Sequence, residues 1–103
     1  MGDAAVRRFY FALSEIVRAY VEGRFGLNAT DLTTEEILSS LSRLPLDPGH
    51  DRGLRAFLAD TDRVKFAAHR PERGEITTLL DWARRFVEET RPVEPEAAAR
   101  EAA

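Results

Sequence analysis

From Val6 to Val21 the large apolar residues fall three and four positions apart: Val6, Phe9, Tyr10, Leu13, Ile16, Val17, Tyr20 and Val21. That rhythm describes one wide face of an α-helix and does not fit a strand, whose faces alternate every second residue. The spacing predicts a helix from about Ala4 to Phe25, and a helix with so broad an apolar face must be covered by other elements. Asp3 stands where a side chain can cap the start. Gly26 stands where a left-handed residue can close the end. Arg18 and Arg24 lie toward the C-terminal end, which favours cations.

Three further helices supply the cover. In "LTTEEI", Thr33 is an N-cap residue with Glu36 three positions on, the pattern of a capping box. Leu32 and Ile37 flank it as a hydrophobic staple. Ile37, Leu38, Leu41 and Leu44 continue a narrow stripe that Pro45 stops. Asp47-Pro48 opens a third helix, expected from Pro48 to Asp62, with Leu54, Phe57, Leu58 and Thr61 inward. The fourth is expected from Glu72 to Thr90. It buries Ile76, Leu79, Leu80, Ala83, Phe86 and Val87, with Trp82 at the edge. Asp81/Arg85, Arg84/Glu88 and Arg85/Glu89 are spaced for exposed pairs along it. Pro92 ends it, so residues 1–91 read as one helical domain and 92–103 as a low-complexity tail. The fold class is all-α, a small bundle of four main helices.

With 103 residues the chain suits a single domain with a modest core. It has no Cys, which excludes a disulfide framework and a thiolate zinc site. The formal charge of −3 works against general nucleic-acid binding, which needs a net basic face. No apolar run approaches the roughly 20 residues that span a bilayer.

Lys65, in "TDRVKFAAHRPE", is the sole lysine among fifteen Lys and Arg residues. A catalytic lysine needs burial or a neighbouring cation, and then a second reacting component. Neither a Ser-x-x-Lys pattern nor a phosphate-binding glycine loop accompanies it. The reading is therefore that Val64 and Phe66 are buried pins and Lys65 is solvated. His50 and His69 lie in different loops without a partner four residues away, so no metal site is assigned, and Asp47 and Asp51 read as capping acids. The serines have no matching His in a strained turn, and no nucleophile is assigned. No catalytic, cofactor or metal residues are expected, and the chain is not expected to be an enzyme. On a helical wheel Phe11 shares the face opposite the core with Arg18 and Glu22. An aromatic ring among charges is a common interface anchor, so these three form the candidate partner surface.

The stretches "FYFALSEIVRAYVEGRFG", "LTTEEILSSL", "LRAFLADTDRVKFAAHRPE" and "LLDWARRFVEETRP", in that order, resemble the helical cytoplasmic region of bacterial Bat-type membrane proteins. These are the BatD-like oxygen-tolerance proteins and related uncharacterised membrane proteins. The similarity runs from about Arg8 to Pro92, and its most specific pieces are Thr-Thr-Glu-Glu and Asp-x-Val-Lys-Phe-Ala followed by Arg-Pro. The resemblance implies a non-enzymatic accessory module on the cytoplasmic face of the inner membrane. It implies anchoring through a membrane segment that this chain does not contain. It also implies protein partners of two kinds, MoxR-type AAA+ ATPases and von Willebrand factor A domain proteins. The alternative from another class is a DNA-binding helix-turn-helix or winged-helix domain, with "DRVKFA" as the wing strand. The long "SRLPLDPGHDRG" link and the acids on the would-be recognition helix weigh against it.

Overall fold

The computed structural model describes residues 2–92 and shows an all-α bundle of four helices. Helix α1 spans Asp3–Phe25, α2 Thr34–Ser40, α3 Pro48–Phe66 and α4 Arg73–Thr90. Short 3-10 turns at Ala29–Asp31 and Leu41–Arg43 flank α2. Most of the expected tail, residues 93–103, lies outside the described residues.

Local chemistry sets most of the boundaries. Gly26 closes α1 in the left-handed region, φ 74°, with its amide on the Glu22 carbonyl. The α1 N-cap is Gly2, with no side-chain bond, so Asp3 sits in the first turn and faces Arg70 instead, at 3.4 Å. The capping box of α2 is present: the Glu36 amide donates to Thr33 Oγ1, and the Thr33 amide donates to Glu36 Oε1 at 3.0 Å. Asp47 caps α3 by accepting from the His50 amide at 2.8 Å. At the start of α4, Glu75 accepts from the Glu72 amide.

The core gathers the inward faces of all four helices. Tyr10, Leu13, Val17 and Val21 of α1 meet Leu54, Phe57 and Leu58 of α3, with Ile37 and Leu41 at one side and Leu79, Ala83 and Phe86 at the other. Trp82 stacks between Phe57 (centroids 5.2 Å apart) and Phe86 (4.9 Å). Gly53 makes room for that indole: a Cβ there would come within 2.9 Å of Trp82 Cε2. At the far end α4 is strapped to α1. Tyr20 Oη lies 2.7 Å from Thr90 Oγ1, and Arg24 Nε donates to the Thr90 carbonyl at 2.7 Å.

Helix α3 runs one turn past its expected end, and this reverses two placements. Between Asp62 and Phe66 nothing breaks a helix, and the inward rhythm of Leu54, Phe57/Leu58 and Thr61 simply continues to Val64/Lys65. Lys65, seven residues after Leu58, therefore turns inward and is 5% exposed. Phe66 turns outward and is 70% exposed, so it is not the buried pin expected of it, whereas Val64 is. The helix stops where Ala68 adopts φ 56°, with the Ala67 and His69 amides both donating to the Arg63 carbonyl. A winged reading of "DRVKFA" fails for the same reason, because Asp62 to Phe66 is helix.

Two smaller corrections concern exposure and pairing. Ile16, expected in the apolar stripe of α1, is 63% exposed. On α4, Glu89 pairs with His50 Nε2 of α3 at 2.8 Å rather than with its own helix.

Candidate functional site

The three residues expected to share the outer face of α1 are separated by the way the chain folds back over that helix. Phe11 stays at the surface, 38% exposed. Arg18 does not: it is buried beneath the link between α1 and α2. Its guanidinium donates to the Leu32 carbonyl (2.8 Å), Thr34 Oγ1 (2.8 Å) and the Ala29 carbonyl (3.4 Å), and Nε reaches Ser14 Oγ at 3.3 Å. A planar fork with five donors suits this task of holding an irregular segment whose carbonyls have few helical partners. Glu22 is half-buried and accepts from Thr30, at 2.8 Å from the hydroxyl and 3.3 Å from the amide. Both charges fasten the α1–α2 link to α1.

The surface that remains is aromatic. Phe11 and Phe66 meet edge to face with centroids 5.9 Å apart. The Lys65 ammonium lies beneath them, 4.9 Å from the Phe11 centroid and 5.1 Å from that of Phe66. Its Nζ donates to Ser14 Oγ at 3.3 Å, so one hydroxyl receives both Lys65 and Arg18. Burial is the main influence lowering the Lys65 pKa, and the nearby Arg18 charge adds to it, while Asp62 and Glu15 pull the other way. Asp62 keeps one buried carboxylate oxygen, Oδ1, without a hydrogen-bond partner among the described residues. The arrangement stabilises a cation through ring faces and a hydroxyl. Ser14 is fully buried and already accepts from two cations, so it is poorly placed to attack a substrate.

A second concavity, about 710 Å³, runs between α3 and α4 over Tyr10, Phe57 and Trp82. Burial raises the Tyr10 phenol pKa, and the charges of Glu75 and Asp60 raise it further. The acids at its mouth are engaged, Asp60 with Arg63 and Glu75 with His69. His50, considered for metal binding, bridges Asp47 and Glu89 through its two ring nitrogens, at 2.9 and 2.8 Å. Among the described residues no group of three or more His, Cys, Asp or Glu is arranged to hold a metal ion.

Phe66, Lys65 and Ser14 carry the chemistry of the aromatic edge, and none of them belongs to the surface expected from the sequence. The signal for Lys65 and Phe66 was present in the inward rhythm of α3. Ser14 had one too, since it precedes Arg18 by one helical turn.

No family model, curated protein or solved structure matches the chain.

Proposed function

We propose that the chain is a non-enzymatic interaction module, the soluble cytoplasmic part of a bacterial membrane protein. Its partner would be a MoxR-type AAA+ ATPase or a von Willebrand factor A domain protein. The family and partner classes rest on the sequence resemblance alone. The observation that carries the interaction reading is the Phe11–Phe66 pair, two rings in contact at the surface, one of them 70% exposed. Adjacent exposed aromatics over a cation leave water-exposed apolar area that a partner can cover, and such rings dominate binding energy where they are covered.

The test is affinity capture from a bacterial lysate with the wild-type chain and with the Phe11→Ser/Phe66→Ser double variant, with retained proteins identified by mass spectrometry. The expected result is an ATPase or von Willebrand factor A protein held by the wild type and lost from the variant, with the variant still folded and its melting temperature only modestly lowered, because losing the two ring faces also opens Lys65 to water. Equal capture by both proteins would remove the aromatic edge from this reading. Capture of neither protein class would remove the proposed partners.

A further inference from the structure

Where α1 begins, α3 ends and α4 begins, the three helices leave a groove of about 680 Å³. Its walls are apolar, with Val6 from α1, Val64 and Phe66 from α3 and Ile76 from α4. Its rim is cationic. Arg7, Arg70 and Arg73 line it, and Asp3 is the single carboxylate among the lining residues. In a chain of net charge −3 this is a local reversal of sign.

The guanidinium groups are open to a ligand. Arg7 and Arg73 are exposed, and the Arg70 side chain is 83% exposed. Arg7 gives one N–H to the Lys65 carbonyl at 2.7 Å and lies 5.8 Å from the Phe11 ring centroid, and among the described residues its other donors make no hydrogen bond. Arg70 faces Asp3 at 3.4 Å in a pair that is solvated on both sides and therefore weak. Lys65 lines the groove too, but its ammonium is directed away to Ser14. On the first turn of α4, the Glu75 carboxylate is occupied by His69 and the Glu72 amide.

From this juxtaposition we infer that the groove binds an acidic peptide segment of a protein partner, with carboxylates on Arg7, Arg70 and Arg73 and one apolar side chain among Val6, Phe66 and Ile76. Charge complementarity selects the acidic partner, since Arg presents a planar fork that matches a carboxylate. Concavity selects a peptide over an anionic membrane: Val64 is buried and Val6 and Ile76 are half-buried between the helix ends, where a side chain can enter and a plane of headgroups cannot follow, and only Phe66 stands out at the rim. The inference rests on the reading of the chain as an interaction module and adds the chemistry of what is bound.

The experiment is fluorescence anisotropy on the whole chain with a labelled synthetic peptide of alternating Glu and Leu. It is repeated with a Glu/Ser peptide and with the exposed-site variant Arg70→Glu/Arg73→Glu. Co-sedimentation with phosphatidylserine vesicles is run beside it. The expected result is saturable binding of the Glu/Leu peptide that weakens with salt. It should fall roughly tenfold in the variant, as loss and reversal of a few exposed charge pairs implies, and fall again without the Leu anchors. Absence of peptide binding, equal binding by the variant, or binding to the vesicles alone would each overturn the inference. Loss of peptide binding with lysate capture intact would sink the groove and leave the aromatic edge standing. Peptide binding without a captured partner would do the reverse.

Discussion

Lys65 shows how much one side chain depends on what its neighbours make of it. An ammonium is ordinarily solvated, yet here the phase of α3 carries it inward, and it is tolerated because Ser14 accepts from it and two ring faces lie over it. Burial and Arg18 lower its pKa in the folded protein, whereas in the unfolded chain it returns to about 10.4. Between those two values the unfolded state binds more protons, so stability contributed at this position rises with pH. Below the folded value the full cost of the buried charge is present. Comparing urea midpoints of the wild type and Lys65→Met at neutral pH and at about pH 10 should show the difference moving in favour of the wild type. A difference that stays constant would mean that the ammonium is as well solvated as in the unfolded chain.

At the scale of elements, glycine makes the sharpest contrast. Gly23 and Gly53 both lie inside helices, where Ala is ordinarily better by about 1 kcal/mol. Among the described residues nothing lies within 4 Å of a Cβ built at Gly23, so Gly23→Ala should raise the melting temperature. At Gly53 the new methyl would overlap the Trp82 indole, which is itself held between Phe57 and Phe86. Gly53→Ala should therefore lower stability, by about 1–3 kcal/mol as overpacking does. A thermal melt in which both variants gain would show that the Trp82 stack can shift. The elements themselves were largely legible: the three- and four-residue rhythm located α1 and α4, and Thr33 with Glu36 marked the start of α2. What was not legible has a common cause. Arg18 is polar on a helical wheel and buried in the fold because the chain after Gly26 turns back across α1. A wheel shows the phase of one helix and nothing of a loop that lies on it. Ile16 is the mirror case, an apolar residue on the expected stripe that stays 63% exposed. Lys65 was misplaced by a different step, when residue type was given more weight than helical phase.

For the molecule as a whole, the closest polar ties between α1 and α4 lie near one end, around Thr90. The Thr90 hydroxyl donates to the Phe86 carbonyl at 2.7 Å, which leaves its oxygen free to accept from Tyr20. Thr90→Val and Tyr20→Phe should each cost about 1 kcal/mol, and the double variant should cost little more than either. Additive losses in a denaturant-based double-mutant cycle would show that the two hydroxyls act separately. The opposite end offers a different kind of access to the cooperative fold. Lys65 carries the only ε-amine in the chain, and α1 and α3 close over it. An acylating reagent can take that amine when the Phe11 and Phe66 rings over it swing aside or the two helices part. Each modified lysine thus records one opening, and the chain carries a built-in chemical clock for its own breathing.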